Sequence, residues 1–355
     1  MDEIDPTRLE ALMGTVGANA GGVMATAIAY MGDRLGIWSA MADGQSASPA
    51  TVAERTGLNE RYVREWLGGM TTAGYVTHEA ADGTFSLSPE QALVFATENT
   101  PASMGGMFQM IMEGTVPAIP RVLESFRDGG GVHQSEYGHG LWEGMHRATA
   151  GSFEGLLVDD WLNRIPDVRD RLASGIDVAD VGCGWGRASI VLARAFPEST
   201  FVGYDAFGPS VERATAEAAK AGVSDRVRFE VHDAATPIPA DYDLITTFDV
   251  IHDAVDPQGI LGAIRTALRP GGHFLCVDIN CSPELDDMAG PMGTLFHGFS
   301  LTYCMTTSLA NDGVGLGTVG LHPPKLRELG EAAGYSSIDH VDVENPFNTL
   351  YVLAK

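Results

Sequence analysis

Residues 176–197, IDVADVGCGWGRASIVLARAFP, contain the pattern that decides the fold of the C-terminal half. Ile176–Val181 is a short apolar run typical of a buried strand, and Arg187–Ala195 has the spacing of a helix. Between them, three glycines stand at positions 182, 184 and 186. A strand, a glycine-rich turn and a helix in this order place backbone N–H groups beside a ligand. The stretch therefore predicts an α/β fold with a ligand site at this turn.

The details of the turn indicate which ligand it suits. A dinucleotide fingerprint needs glycines at positions 182, 184 and 187, and position 187 is Arg. Asp180 stands at the strand end just before Gly182, where a carboxylate would repel a pyrophosphate. The same carboxylate would suit a cationic ligand, such as a sulfonium that also carries an ammonium group.

Acidic residues also end the strands predicted further along the chain. TFVGYDA ends at Asp205, which is placed to accept both hydroxyls of a ribose. VRFEVHDA ends at Asp233, which is suited to accept an exocyclic amine of adenine. YDLITTFDVIHD carries Phe248 and Asp249 at the end of the fourth strand. Four acids at strand ends around one glycine-rich turn are a more specific signal than the turn alone.

The ordered motifs DVGCGWG, YDA, HDA, FDVIHD and LRPGGHFLCVD resemble those of class I S-adenosylmethionine-dependent methyltransferases, over about residues 176–280. SSIDHVDV and TLYVLAK resemble the family's closing antiparallel strands. The resemblance implies a Rossmann-like seven-stranded sheet with an antiparallel last strand and S-adenosylmethionine as the cofactor. It implies that glycines 182–186 and Asp180 surround the methionine moiety, that Asp205 holds the ribose and that Asp233 holds the adenine. The expected cofactor-binding residues are Asp180, Gly182, Gly184, Gly186, Asp205, Ala206, Asp233, Ala234, Phe248 and Asp249.

Residues 1–100 predict a mostly helical winged-helix domain. Ala18–Met41 is a small-residue, apolar stretch expected to form a tightly packing helix, and Ser48 and Asn59 are expected to cap two short helices around a turn at Gly57. Asp82-Gly83 predicts the hairpin that follows. The second short helix carries Glu60, Arg61, Arg64 and Glu65, which sum to zero charge, whereas a phosphate-facing helix should be basic. This favours dimerisation and substrate covering over DNA binding. Methyltransferases with such a domain typically dimerise through it, which implies a homodimer.

Two further regions complete the expected organisation. Residues 101–172 are expected to form a helical linker and lid, with Tyr137, Trp142 and His146 as candidate substrate-binding residues. Residues 173–355 form the expected cofactor-binding domain, and its long insert contributes Phe296 and Tyr303 as further candidates. Residues 313–320, rich in glycine, could act as a hinge. His139 and His146 are seven residues apart, which does not match the spacing of metal-ligand pairs on a helix, so we predict no metal site.

Composition limits the classes of function. Of 355 residues, 22 are Lys or Arg and 47 are Asp or Glu, so the net charge is −25, which disfavours a nucleic-acid partner. A salt-adapted cytosol and a high-GC genome both fit this composition.

Four cysteines are too few for a disulfide framework, and the acidic start lacks a signal-peptide pattern. No uninterrupted run of about 18 apolar residues is present. We expect a cytoplasmic protein with reduced cysteines and without a membrane partner.

The segment FDVIHDAVDP predicts the catalytic base. It resembles the HDW-type motif of plant-like O-methyltransferases, in which the His deprotonates a hydroxyl, although Ala254 replaces the Trp. His252 is thus the candidate general base for methyl transfer to a small-molecule acceptor, with Asp253 or Asp256 orienting its ring. O-, N- and C-methylation share the scaffold. The alternatives are a cofactor-binding winged-helix transcription regulator and a non-catalytic cofactor-binding protein.

Overall fold

A seven-stranded sheet forms the frame of the C-terminal half of this computed structural model, which describes residues 4–355. Two short strands, β1 (Thr77–Glu79) and β2 (Thr84–Ser86), pair separately as a hairpin. The strands of the large sheet are β3 (Asp177–Val181), β4 (Thr200–Asp205), β5 (Val227–Val231), β6 (Tyr242–Phe248), β7 (Leu268–Ile279), β8 (Ser337–Val341) and β9 (Asn348–Ala354).

The order of strands in the large sheet is β5-β4-β3-β6-β7-β9-β8. β3, β4, β5, β6 and β7 are parallel, and β9 runs antiparallel to both of its neighbours. From β3 the chain adds β4 and β5 on one side of the sheet and then β6 and β7 on the other side. Ligands of open α/β sheets bind at the point where the order of strands switches sides in this way. The predicted fold class, including the single antiparallel strand, is confirmed.

Fifteen α-helices are described. They are α1 (Pro6–Arg34), α2 (Ile37–Ala40), α3 (Pro49–Thr56), α4 (Glu60–Thr72), α5 (Pro89–Phe95), α6 (Gly105–Gln109), α7 (Val116–Asp128), α8 (His139–Gly155), α9 (Pro166–Ser174), α10 (Arg187–Ala195), α11 (Gly208–Ala221), α12 (Pro257–Ala267), α13 (Pro291–Phe299), α14 (Met305–Leu309) and α15 (Pro323–Ala333). Short π-helical turns cover Met110–Thr115, Leu157–Trp161 and Ser300–Cys304, and 3₁₀ turns cover Gln134–Glu136, Leu162–Arg164 and Leu285–Met288.

Apolar side chains cover both faces of the large sheet. One buried cluster joins β6 and β7 to α12 and α15 and includes Ile245, Leu261 and Phe274. A second cluster joins the other face to α9 and α10 and includes Leu172, Val178 and Leu192. Because helices cover both faces, β3 and β6 are buried along nearly their whole length rather than at alternate residues.

The chain divides into two compact units whose bounds differ from the three zones drawn from the sequence. The first unit runs to Gly114 and takes in His139–Gly151, and the second consists of Thr115–Gly138 and Ser152–Lys355. The first part of α8 therefore belongs to the N-terminal unit. Sequence composition did not show this division, because it depends on which helices pack together.

The N-terminal unit contains the winged helix with the predicted local chemistry. The Ser48 side chain accepts a hydrogen bond from Thr51 N and caps α3, and Asn59 accepts one from Arg61 N and caps α4. Gly57 ends α3 in the left-handed conformation, with φ of 68°. β1 and β2 pair with Thr77 opposite Ser86. These caps, the turn and the hairpin confirm the sequence predictions.

The first helix differs from the prediction of a helix over Ala18–Met41. α1 begins at Pro6, behind an Asp5 cap, and ends at Arg34, because Gly36 adopts φ of 70° and the chain restarts as the short α2. The N-terminal part of α1 is exposed within the described residues. By length and composition alone this helix could cross a membrane. The sequence prediction differed because polar residues interrupt the apolar stretch.

Residues 313–320, proposed from sequence as a hinge, are held by hydrogen bonds. Val314 N donates to Val255 O at 3.1 Å and Gly315 N donates to Ser308 Oγ at 3.1 Å. The Thr318 hydroxyl donates to the Cys304 sulfur at 3.0 Å. These bonds fasten the loop to α14, to the π-helical turn before α14 and to the segment that follows β6.

Candidate functional site

The glycine-rich turn lies at the carboxyl edge of the sheet, between β3 and α10. Gly182 N donates to Tyr204 O at 2.7 Å, which ties the turn to β4. A Cβ at Gly186 would lie 2.4 Å from the Phe229 ring, so a side chain there would displace the packed aromatic. A Cβ at Gly184 would meet nothing within 4 Å, although its φ of 53° favours glycine. The apex of the turn is therefore open on the side where a ligand would approach.

Asp205 ends β4 directly beside this turn. Its Oδ2 accepts a hydrogen bond from Gly184 N at 2.9 Å and its Oδ1 accepts one from Phe207 N at 2.8 Å. Burial raises the pKa of Asp205, while these two backbone bonds act in the opposite direction. Each carboxylate oxygen retains a lone pair. Asp205 is thus held in place by the backbone with further acceptor capacity, and the exposed Ala206 follows it.

Asp233 and Ala234 follow β5, the next strand outward. The Asp233 carboxylate is exposed and accepts a hydrogen bond from Ala235 N at 3.0 Å. Ala234 is half-buried and packs against the apolar core. β5 pairs with β4 so that Val231 lies opposite Asp205, which sets Asp233 two residues beyond the Asp205 position. Asp205 and Asp233 are therefore brought to the same edge of the sheet.

Asp180 differs from the other acids at this edge because it is enclosed. Its carboxylate, 2% exposed, accepts hydrogen bonds from Ser189 Oγ at 2.6 Å and from Thr246 Oγ1 at 3.1 Å. Burial raises its pKa to about 6, against the effect of these two hydroxyl partners. The structure therefore places Asp180 under the glycine-rich turn, where it links β3 to α10 and β6.

Phe248 and Asp249 mark the end of β6. Phe248 packs edge-on against Phe153 at 5.2 Å between ring centres. Asp249 adopts φ of 57°, an uncommon conformation for a residue with a side chain and one that concentrates at functional sites. Its Oδ1 accepts a hydrogen bond from Asn348 Nδ2 at 2.7 Å. Burial and then the nearby Asp278 raise the pKa of Asp249 to about 7.

His252 follows this turn and is buried, with 3% of its surface exposed. Its Nδ1 lies 2.7 Å from Asp278 Oδ1, and Asp278 is itself held by Ile251 N and Ile279 N. Burial lowers the pKa of His252, but Asp278 and Cys304 more than offset this and raise it well above its usual value. His252 and Asp278 thus form a buried, hydrogen-bonded base-and-carboxylate pair.

The partner of His252 was missed in the sequence. Neither Asp253 nor Asp256 holds Nδ1: Asp256 caps α12 through Gly259 N at 2.9 Å, and Asp278 takes the orienting position. Asp278 ends the predicted strand LCVD, so the rule that drew attention to the other acids at strand ends could have found it. Asn348 had no such signal, because it reaches Asp249 from the antiparallel strand β9.

Three candidate substrate-binding residues lie in the C-terminal unit. The Tyr137 hydroxyl donates to Thr302 O at 2.5 Å, and its ring packs edge-on against Tyr303 at 5.3 Å. Tyr303 is buried, its hydroxyl accepts from Gln134 Nε2 at 3.2 Å, and Asp253 lies near enough to raise its pKa further after burial. Phe296 is buried against Phe347. Tyr137 and Tyr303 are therefore brought together, with Asp253 near Tyr303.

The other two candidates lie in the N-terminal unit. Trp142 and His146 are half-buried positions of α8 within that unit. The same part of α8 carries Arg147, whose guanidinium bonds Asp33 at 2.8 Å. Their assignment as substrate-binding residues stays a prediction.

The chemistry of this edge fits a cationic ligand that carries a nucleoside. Asp205, Asp249 and Asp253 are buried carboxyl groups at this edge, and burial raises the pKa of each, to about 7 for Asp249 and to about 6 for Asp253. Uncompensated carboxylates would be relieved by a sulfonium and an ammonium group. Asp205 has acceptor capacity to spare beside the open apex at Gly184, as its predicted role toward a ribose requires. Over residues 4–355, no group of three or more His, Cys, Asp or Glu side chains is arranged to hold a metal ion.

Comparison with known proteins assigns domains to both halves. Residues 172–299 match the model of a methyltransferase domain, and residues 23–97 match that of an Rv2258c-like winged helix-turn-helix domain. The chain is 32% identical over 148 residues to 27-O-demethylrifamycin SV methyltransferase of Amycolatopsis mediterranei, covering 41% of this chain and 52% of that one. It is 30% identical over 115 residues to the ubiquinone biosynthesis O-methyltransferase of Dinoroseobacter shibae, covering 32% and 46%.

Among solved structures, human N-acetylserotonin methyltransferase in complex with S-adenosylmethionine is similar over the whole chain. The TM-score is 0.69 at 17% identity, with 100% of this chain and 99% of that one covered. At this identity the likeness shows the fold. The aligned segment spans about half of the two curated relatives named above, so their activities and substrates are not transferred directly. The resemblance seen in the sequence is confirmed for both domains.

Proposed function

We propose that this chain, which carries a methyltransferase domain behind a winged helix-turn-helix domain, transfers the methyl group of S-adenosylmethionine to a hydroxyl of a small molecule. The observation that carries the proposal is the buried His252–Asp278 pair, 2.7 Å apart, at the carboxyl edge of the sheet. A base held there is suited to take the proton of an acceptor hydroxyl. The match to a methyltransferase domain supports methyl transfer in general, and the His252–Asp278 pair supports a hydroxyl group as the acceptor.

The cofactor is held by residues at the ends of β3, β4 and β5. Asp205 accepts the ribose hydroxyls while its backbone bonds keep the carboxylate in position. Asp233 accepts the adenine amine, and the open turn at Gly182–Gly186 takes the methionine part. Asp180 supports the turn from below through Ser189 and Thr246. When bound, S-adenosylmethionine supplies an electrophilic methyl group on a positively charged sulfur.

His252 acts on the acceptor. Asp278 accepts a hydrogen bond from Nδ1–H of the neutral ring, which leaves Nε2 as the nitrogen that can receive a hydroxyl proton. The imidazolium that forms is stabilised by the same carboxylate, as the raised pKa of His252 indicates. Tyr137 and Tyr303 form an aromatic corner beside Asp253, which we assign to the acceptor together with Phe296 of the same unit.

The partners follow from the surfaces of the described chain. On α4, Arg61 pairs with Glu65 and Arg64 pairs with Glu60, so the second helix of the winged helix offers no free basic face. This supports a small-molecule enzyme over a DNA-binding regulator. The exposed apolar part of α1 fits a second copy of the chain, and we place the protein in the cytoplasm without a nucleic-acid or membrane partner.

The test is His252→Ala with a panel of hydroxylated aromatic acceptors and product detection by mass spectrometry. Loss of the base should lower turnover by roughly 10²–10⁴ and leave cofactor affinity, measured by calorimetry, unchanged. His340→Ala, which removes an imidazole of β8 that bonds Thr349 and stacks on Tyr351, is the control and should retain turnover. Near-normal turnover of His252→Ala would contradict the assignment of the base.

The pH profile tests the same base independently. Because Asp278 raises the pKa of His252, the ring becomes a free base only at higher pH than an ordinary imidazole does. We expect kcat/KM to increase on going from pH 7 to alkaline pH. Asp278→Asn removes the main charge that holds the proton, so the rise should move to lower pH while the maximum falls. A profile that declines above pH 7 would contradict His252 as the base.

A further inference from the structure

Asn348 is the first residue of β9, and its side chain reaches the end of β6. It pairs with Ile279 of β7 in the sheet and is 7% exposed. Its Nδ2 donates a hydrogen bond to Asp249 Oδ1 at 2.7 Å. A buried amide of the antiparallel strand thus holds the residue that directly follows β6.

The turn that carries Asn348 is itself fixed. Asn345 Oδ1 accepts hydrogen bonds from Phe347 N at 2.8 Å and from Asn348 N at 3.1 Å. Asn280, directly after β7, donates from its backbone N to Phe347 O at 2.9 Å and from Nδ2 to Asn345 O at 2.9 Å. Because β7 and the turn hold each other, the Asn348 amide has little freedom to move away from Asp249.

Asp249 is the point at which the chain turns toward the base. It adopts φ of 57°, which is uncommon for a residue with a side chain, and its N donates to Val277 O at 2.9 Å. Two residues later, Ile251 N donates to Asp278 Oδ2 at 3.2 Å, and His252 Nδ1 lies 2.7 Å from Asp278 Oδ1. The segment that leaves Asp249 therefore engages both oxygens of Asp278, so the conformation at Asp249 decides where the imidazole arrives.

Charge gives a second reason why the amide matters. Burial and then Asp278 raise the pKa of Asp249, and the bond from Asn348 acts in the opposite direction. Without this donor, the Asp249 carboxyl group would lose a hydrogen-bond partner beside a second carboxylate. A left-handed conformation persists only where surrounding contacts impose it. Loss of the amide should therefore release the turn.

We propose that Asn348 is a positioning residue of the His252–Asp278 pair. By holding Asp249 in the left-handed turn, it sets the path along which the chain leaves β6 and brings the imidazole to Asp278. The inference rests on the proposed function, since it concerns the base of that reaction. Asn348 acts through Asp249, and no bond to its amide forms or breaks during methyl transfer.

The first experiment follows the His252 ring without cofactor or acceptor. The ¹⁵N shifts of the two ring nitrogens show which one carries the proton, and they are measured at a pH at which the ring is neutral. Asn348→Leu keeps nearly the same side-chain volume and removes the donor. Because Asp278 holds the proton on Nδ1, we expect Asn348→Leu to lower the ratio of Nδ1–H to Nε2–H tautomer at least about threefold. An unchanged ratio would overturn the proposal.

An exchange of the two partners separates the hydrogen bond from packing. The double variant Asp249→Asn, Asn348→Asp places the amide on the turn and the carboxylate on β9. Asparagine adopts the left-handed conformation readily, so the turn can persist. The double variant should recover the wild-type tautomer ratio, whereas Asn348→Asp alone, which sets two carboxyl groups against each other, should not. A double variant no better than Asn348→Asp would overturn the proposal.

Thr349→Val is the matched control on the same strand. It keeps nearly the same shape and removes the side-chain bond between Thr349 Oγ1 and His340 Nε2, which are 2.6 Å apart. The tautomer ratio of His252 should stay as in wild type. A loss equal to that of Asn348→Leu would assign the effect to general loosening of β9 and overturn the proposal.

Turnover then tests the consequence for the reaction. Asn348→Leu should lower kcat about tenfold with the KM for S-adenosylmethionine unchanged, and the double variant should recover kcat to within about threefold of wild type. An unchanged kcat in Asn348→Leu would overturn the positioning role. Because the tautomer measurement needs no acceptor, a chain that transfers no methyl group would fail the assay in every variant and still show the change in ratio. Failure of the proposed function is thereby distinguished from failure of this inference.

Discussion

At the scale of single residues, the site combines two kinds of carboxylate. Asp205 is fixed by backbone N–H groups and has acceptor capacity beyond them, which suits a ligand-binding role. Asp180 is enclosed and bonded to Ser189 and Thr246, which suits a structural role below the same turn. Replacing Asp205 should therefore change the affinity for the cofactor, and replacing Asp180 should change the free energy of unfolding.

Asp205→Ala should weaken binding of S-adenosylmethionine about a hundredfold, on the order of 3 kcal/mol, because hydrogen bonds to a charged group each contribute about 1.5–3 kcal/mol. Isothermal titration calorimetry measures the change. Asp241→Ala, which removes an exposed carboxylate before β6, serves as the control and should bind like wild type. Equal affinity of Asp205→Ala and wild type would refute the assignment of Asp205 to the ribose.

Asp180→Asn should stabilise the protein in a pH-dependent way. Burial raises the pKa of Asp180 to about 6, whereas an unfolded chain titrates near 3.9. Between these values the folded state keeps a proton that the unfolded state has lost, so stability from this group falls as pH rises through about 6. The neutral amide avoids this loss, with a gain of roughly 2–3 kcal/mol at pH 7.5 and less at pH 5.

Denaturant unfolding at pH 5.0, 6.0 and 7.5 measures the gain of Asp180→Asn at each pH. The gain should grow up to about pH 7 and then level off, since wild-type Asp180, with a pKa of about 6, is almost fully ionised above that pH. Asp241→Asn is the matched removal of an exposed carboxylate. A gain for Asp180→Asn that is equal at all three pH values would show that its carboxylate is not the titrating group.

At the scale of elements, α1 has the most unusual surface. Its buried residues, Ala29 and Gly32, lie near its C-terminal end. The preceding turns expose large apolar side chains: Leu9, Leu12, Met13, Val16, Val23 and Met24. A Cβ at Gly14, Gly17, Gly21 or Gly22 would meet nothing within 4 Å, so another backbone could approach closely there. The same composition satisfies a membrane-span criterion, and the two explanations predict different experiments.

We predict that the wild-type chain is a dimer and that the double variant Val16→Asp, Val23→Asp is a monomer at micromolar concentration. The two valines are seven residues apart and share one helix face, so two charges there would oppose burial. Light scattering measures the mass. Tyr62→Asp, which places a charge on the exposed face of α4, should remain dimeric. A monomeric wild type that sediments with lipid vesicles would instead favour the membrane explanation.

At the scale of the whole molecule, charge is the dominant property. A net charge of −25 on 355 residues makes the chain repel itself at low ionic strength. We expect Tm to rise by several degrees as NaCl is raised from about 10 mM to 1 M, with most of the change below about 0.3 M, because the screening length falls to about 10 Å near 0.1 M. Tm measured in sucrose at matched osmolality distinguishes the screening of charges by NaCl from a general stabilising effect of added solute. A Tm that does not change with NaCl would contradict the prediction.

Most of the fold could be predicted from local sequence, because its signals are local. The predicted helix Arg187–Ala195 has the bounds of α10, and the caps Ser48 and Asn59 act where they were expected. The break after Arg34 was missed, since an apolar helical pattern continues across Gly36 and only the backbone conformation at that glycine stops it. The acids at the ends of β3 to β6 were identified from the sequence, whereas Asp278 in β7 was missed because that strand was not expected to contribute to the site.

By itself, the sequence determined that the chain has a Rossmann-like sheet, a glycine-rich turn and a row of acids, because each depends on residues close together in the chain. Only the tertiary structure decided how those acids differ. Asp180 is enclosed because β6 and α10 close over it, and Asp278 holds His252 because β7 lies beside β6. Contacts between distant segments set burial and partners, and no local pattern encodes them.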